Sequence, residues 1–209
     1  MNRARGRGSA RLSTNSSGLT SNSEAPVLSH ADAHGKARMV DVTPKSVTVR
    51  TATAAARVVL SAIAYDAVIN NTLAKGDVLG VARIAGILAA KRCDEIIPLC
   101  HTLPLTGIEV KLHPTRNKLT CAIEISATIT TAAQTGVEME ALLAVSIAAL
   151  TVIDMIKALD RGASVQDVRV TAKSGGKSGD WVRDESGELV QSANRALPKP
   201  RAKGAQTRP

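Results

Sequence analysis

Aromatic side chains are almost missing from this 209-residue chain, which has no Phe, one Tyr (Tyr65) and one Trp (Trp181). Proteins that grip single-stranded nucleic acid stack its bases on aromatic platforms. Their absence counts against an RNA- or DNA-binding module, despite a formal net charge of +9. The charge is also in the wrong place. Four Arg stand against Glu24 before His30, and six basic residues face three acidic ones from Val182 onward. Between these flanks, 17 basic and 14 acidic residues nearly balance, where a nucleic-acid binder concentrates charge on its folded face. Cysteine is scarce and odd in number (Cys93, Cys100, Cys121), with no C-x-x-C pair. That pattern excludes a disulfide frame or a zinc site and predicts reduced thiols in a cytoplasmic protein. No uninterrupted apolar run reaches the ~18 residues of a membrane span, and the longest stretches are broken by charge.

The segment "TAKSGGKSGDW" (171–181) resembles a phosphate cradle but is not a P-loop. That pattern requires Gly five residues before Gly-Lys-Ser, a position held here by Thr171. It also requires a following helix to present N–H groups to phosphate, and no apolar period follows Trp181. A Gly-rich turn carrying Lys173 and Lys177 can still form an anion-binding nest; a plain solvated turn is the other reading.

Low hydrophobicity at both ends predicts a disordered Arg/Ser-rich arm over 1–29 and a disordered basic tail over 182–209. One domain over 30–181 lies between them. Within it, "VTVRTATAAARVVLS" predicts a strand anchored by Val47, Val49 and Val58–Leu60, and "SAIAYDAVINN" a short helix. A second helix opens near Asp77, with Val78, Val81, Ala82, Ala85 and Leu88–Ala89 near helical spacing. "IEVKLHPTRNKLTCAIEISATI" alternates as a hairpin with its turn at Pro114–Asn117. "TGVEMEALLAVSIAALTVIDMIKAL" predicts a long helix capped by Thr135, and "SVQDVRVTAK" a closing strand. Helices interleaved with an antiparallel sheet imply an α+β sandwich with the helices on one face.

The long helix is apolar nearly all round, so sheet, another helix or a second subunit must cover it. Asp154 and Lys157 interrupt it three residues apart and share a face. They form either a helical salt bridge or, in a partly buried setting, a proton-shuttling pair. Glu138 and Glu140 suit the helix dipole at the other end. Glu140 and Asp154 are 14 residues, about 21 Å, apart along the axis, too far for one small substrate. Two copies paired antiparallel would bring one helix's start beside another's end. Lys75 precedes the second helix, where an ammonium is wasted unless an anion joins it. His101, in the Pro-stiffened "IIPLCHTLPL", is weak evidence by itself.

Taken in order, "ARMVDVTPK", "KGDVLGVARIAGILAAKR", "IPLCH", "TGVEMEALLAVSIAALTVIDMIKAL" and "KSGGKSGDW" resemble the MoaC family over roughly His30 to Trp181. This is the family of cyclic pyranopterin monophosphate synthases of molybdenum-cofactor biosynthesis. The resemblance implies a ferredoxin-like α+β fold and homohexamers built as trimers of dimers, with sites between subunits. The implied reaction converts a cyclised dihydro-GTP intermediate to cyclic pyranopterin monophosphate and releases pyrophosphate, with no metal or other cofactor. By resemblance, Asp154 and Lys157 are catalytic, and Leu99, Cys100, His101, Met139 and Glu140 bind substrate with Lys75, Lys173 and Lys177. The partner is then a small nucleotide-derived molecule, not nucleic acid or a membrane. Two positions depart from the family pattern: Gln134 replaces a basic residue, and Thr102 stands where many members have Pro, implying a looser His101 loop. The rival reading is a non-catalytic ferredoxin-like module that binds phosphates or a partner protein, which leaves Asp154 and Lys157 unexplained.

Overall fold

Strand β1 (Thr48–Leu60) alternates small residues, and its even positions Ala52, Ala54, Ala56, Val58 and Leu60 are buried. A strand shows alternate side chains to opposite faces, so one face of β1 is a nearly flat floor on which a helix can lie close. The phase differs from the expectation. Val47 and Val49 are 62% and 68% exposed; the alanines, not these valines, anchor the strand. The computed structural model describes residues 36–184 and 186–192, and the expected arm over 1–29 lies outside them.

Helix α1 (Ala62–Ile69) starts at Ser61, whose side chain accepts the Ala64 N–H. Helix α2 (Val78–Lys91) starts at Asp77, whose carboxylate accepts the Gly80 N–H at 2.9 Å. Both caps follow from short polar side chains satisfying orphan N–H groups. The buried face of α2 is Val78, Ala82, Gly86, Ala89 and Ala90. Val81, Ile84 and Leu88 point outward instead, a rotation from the face that sequence spacing suggests. A short helix α3 (Cys93–Ile96) follows.

Strands β2 (Leu105–Arg116) and β3 (Cys121–Ala133) form the expected hairpin. Its turn falls after Arg116, where the Asn117 side chain accepts the N–H groups of Leu119 and Thr120. Pro114 stays within β2, an edge strand that tolerates a missing donor. Helix α4 (Glu138–Ile156) and strand β4 (Ser164–Ser174) complete a β-α-β-β-α-β unit. Short strands β5 (Trp181–Arg183) and β6 (Leu189–Gln191) extend the sheet to the order β2-β3-β1-β4-β5-β6, with every pair antiparallel. This is the ferredoxin-like α+β sandwich. Part of the segment expected as a tail is therefore sheet; residues 193–209 lie outside the described residues.

The core joins Val58, Ile123, Ile125 and Ile129 of the sheet to Val145, Val152 and Ile156 of α4. Helices α2 and α4 cross closely at Gly86, where a Cβ would stand 2.9 Å from the Ala144 carbonyl oxygen. By length and composition α4 is apolar enough to cross a membrane, but here it is the central core helix, packed on the sheet and against α2. The opposite sheet face is polar and paired. Thr51 meets Thr130, Thr53 meets Thr128, and Arg57 bridges Glu124 at 3.0 Å.

Candidate active site

Helix α4 begins at Glu138, and the preceding Val137 makes no side-chain cap. Thr135 therefore does not cap it. The first turn carries two carboxylates of different fates. Glu138 accepts from Lys173 of β4 at 2.6 Å, in a mostly shielded ion pair. Glu140 is buried, with 4% of its surface exposed. Burial pushes its carboxyl up to about 7, its own backbone N–H opposes the shift, and the negative charges of Glu138 and Asp94 add to it. Near neutral pH such a group both gives and takes a proton.

Glu140 opens onto a cavity of about 370 Å³, shared with Leu99, Cys100, His101 and Met139. Five residues named from the sequence thus meet here. Cys100 and the buried Cys93 lie 4.0 Å apart, sulfur to sulfur, and burial raises both thiols. Thiolate chemistry is disfavoured for them.

Next to it is a second cavity of about 980 Å³, bordered by Lys45, Arg50, Gln134, Lys173 and Lys177. Lys45, Thr135, Gly136 and Glu138 border both, so the two form one groove with an apolar, proton-active end and a basic end. The Gly-rich turn closes the basic end. Gly175 and Gly176 both have φ near +84 and +83, and a Cβ on either would collide with the Val49 carbonyl or the Arg50 guanidinium. No ATPase helix follows; strand β5 does.

Lys45 and Arg50 were not singled out from the sequence. Arg50 looks like an ordinary polar residue in an alternating strand, and only the tertiary contact with Ala133 O at 2.9 Å shows that it is fixed beside the groove. Lys45 ends the stretch "ARMVDVTPK", so its motif was visible although its role was not. By its position Glu138 suits the helix dipole; its pairing with a lysine 35 positions away has no local signal.

The other end of α4 differs. Lys157 donates to Asp154 at 2.6 Å, and Lys75 donates to the same carboxylate at 2.8 Å and to the Asp154 carbonyl at 2.9 Å. The anion that Lys75 required is Asp154. These hydrogen bonds, Lys157 first and Lys75 second, hold the Asp154 carboxyl down at about 2. The expected partly buried setting is not found in the single chain. The three side chains are 49–63% exposed and border neither cavity. The cause is helical phase: Val152, Met155 and Ile156 take the core face, which turns Asp154 and Lys157 outward. Among the described residues, no group of three or more His, Cys, Asp or Glu is placed to hold a metal ion.

The sequence matches the model of the MoaC family over residues 39–176. Relatives named cyclic pyranopterin monophosphate synthase include one from Nocardioides sp., 54% identical over 156 residues, covering 75% of this chain and 95% of the relative. One from Streptomyces coelicolor is 53% identical over 156 residues, covering 75% and 89%. One from Chloroflexus aggregans is 54% identical over 159 residues, covering 76% and 95%. With its sandwich, its groove and these relatives of nearly full length, the chain belongs to the MoaC family.

Proposed function

We propose that this protein is a cyclic pyranopterin monophosphate synthase acting in molybdenum-cofactor biosynthesis in the cytoplasm. Its substrate is the cyclised dihydro-GTP intermediate, and its products are cyclic pyranopterin monophosphate and pyrophosphate. It is a lyase working by general acid–base chemistry, without a metal. The observation that carries this reading is the divided groove, in which a buried carboxyl with pKa about 7 stands at one end and four cationic side chains at the other.

The reaction opens an imidazole-derived ring, builds the pyranopterin and closes a cyclic phosphate. It needs proton transfers and stabilisation of a departing polyphosphate. His101 and Glu140 contact the base-derived part, where Glu140 moves protons. Lys45, Arg50, Lys173 and Lys177 hold the triphosphate and offset charge on the leaving pyrophosphate. Asp154, ionised at any working pH, orients the ammonium of Lys157, the general acid or base. Lys75 shares that carboxylate until substrate phosphate offers a second anion.

Asp154 and Lys157 stand a helix length from the groove of their own chain, so the complete site takes them from a second subunit. Support for this comes from a stripe along α4 that includes Met139, Leu150, Asp154 and Lys157, all exposed. Exposed Val81, Ile84 and Leu88 of α2 provide further uncovered apolar surface. Antiparallel pairing across the α4 stripe places one copy's Lys157 beside the other's groove. Such dimers, joined three at a time, give a homohexamer. Incubation with the cyclised dihydro-GTP intermediate tests the reaction. Release of pyrophosphate together with a pterin that fluoresces after oxidation is expected; intact intermediate at the end of the assay would overturn it.

A further inference from the structure

The loop that carries His101 runs from α3 into β2. Its start is held by backbone bonds from Ile97 N to Cys93 O at 2.8 Å and from Cys100 N to Ile97 O at 3.0 Å. Its end is held at Pro104, whose carbonyl accepts from the fully buried Thr131 hydroxyl at 2.8 Å. His101, Thr102 and Leu103 lie between these anchors. Leu103 packs on the core, and Thr102 Oγ1 donates to Asp94 Oδ2 at 2.5 Å. The last is the short, charge-assisted kind of hydrogen bond that fixes geometry most firmly. Family resemblance suggests that Thr102 loosens this loop. The bond to Asp94 supplies a restraint of another kind.

We infer that Asp94 and Thr102 are positioning residues for His101: the carboxylate in the first turn of α3 ties down the residue after His101 and so sets where the imidazole stands in the groove. Thr102 is exposed and Asp94 half-buried, so neither fills the core, and the tie is not needed to complete packing. Asp94 also lies close enough for its charge to act on Glu140, Cys93 and Cys100. The carboxylate thus stands behind the cavity wall that Cys100, His101 and Glu140 line. The inference rests on the proposed reading of His101 as a substrate contact.

The test uses Thr102→Val, which trades the hydroxyl for a methyl of nearly the same shape, and Thr102→Ser, which keeps the donor. With the cyclised dihydro-GTP intermediate as substrate, Thr102→Val raises KM by up to about tenfold, because the loosened His101 must be ordered again on binding, with little change in kcat. The exposed bond contributes little to melting temperature. Thr102→Ser restores KM. Asp94→Ala raises KM at least as much, since it also removes a charge that acts on Glu140, and adding Thr102→Val to Asp94→Ala raises KM no further. A KM unchanged in Thr102→Val, a Ser variant as impaired as Val, or additive losses would each overturn the inference. The His101 ring resonance, followed by NMR across pH without substrate, gives an independent reading. A shifted or broadened signal in Thr102→Val supports the tie, and an unchanged one contradicts it. If the wild-type protein does not turn over the intermediate, the proposed function fails, and the His101 resonance still decides the tie.

Discussion

The two ends of α4 carry carboxylates of opposite character. At the start, Glu140 is buried in a cavity wall and its carboxyl is raised to about 7. At the finish, Asp154 is open to solvent, bracketed by two ammonium groups and lowered to about 2. Burial raises the first because a charged carboxylate loses water there, and cations lower the second because they favour its ionised form. One end is thus poised to exchange protons and the other to stay charged and aim a lysine. In the proposed two-subunit site each end supplies one half, and a separation of 14 positions along a rigid helix keeps the halves of one chain apart.

The most damaging change to this division is at the finish. Lys157→Ala should abolish turnover, a loss of at least ~10³-fold, consistent with removing a general acid or base, while circular dichroism and oligomer size stay unchanged. Full turnover by that variant would remove Lys157 from the mechanism. At the start, Lys45→Ala and Arg50→Ala should each raise KM on the order of tenfold, with kcat less affected. Steady-state kinetics at low salt would check this, and unchanged KM in both would separate the basic cavity from the triphosphate.

Stability sharpens the same contrast. The raised pKa of Glu140 means that the folded state binds a proton more tightly than the unfolded chain. Its stabilising contribution is fully present below pH 4.5, the ordinary value, and disappears as pH rises through about 7. Glu140→Gln should remove a pH-dependent loss on the order of 2 kcal/mol over that window. Denaturant melts at pH 5 and pH 8 would show the wild-type protein falling relative to the variant; parallel behaviour would mean that Glu140 ionises freely. Between the two ends, Gly86→Ala presses a methyl toward the Ala144 carbonyl at the α2–α4 crossing. A cost of about 1–3 kcal/mol is expected, readable as a lower urea midpoint. The smallest effect belongs to the far sheet face, where removing the Arg57–Glu124 pair should cost no more than about 1 kcal/mol.

Much of this architecture was legible from periodicity and caps. Ser61 and Asp77 mark helix starts by a local chemistry that needs no tertiary knowledge. The strand phase of β1 was not legible, because "TATAAARVV" offers almost no contrast between its two faces, and alanine becomes a core residue only when a helix lies on it. The outward turn of Val81, Ile84 and Leu88 has a related cause: the buried face of α2 is chosen by small residues that allow close approach, not by the largest side chains. Within the site, the family resemblance named His101 and Glu140 together as substrate contacts, and both line one cavity. Lys173 with Glu138, Lys75 with Asp154, and Arg50 against the Gly-rich turn are pairings over 35, 79 and well over a hundred positions. Only folding creates them. Within the single chain the apolar neighbours of Asp154 and Lys157 do not cover them, since on a helix the neighbours in sequence face other directions.

Mixing two inactive variants tests the two-subunit site most directly. Lys157→Ala spoils the finish of α4 and Glu140→Ala spoils the start. In a mixed dimer one site receives both lesions and the other receives neither. After subunit exchange of equal amounts, activity should return to about a quarter of the wild-type level, the share of intact sites under random pairing. A mixture that exchanges subunits yet stays as inactive as its parents would show that each chain works with its own two ends.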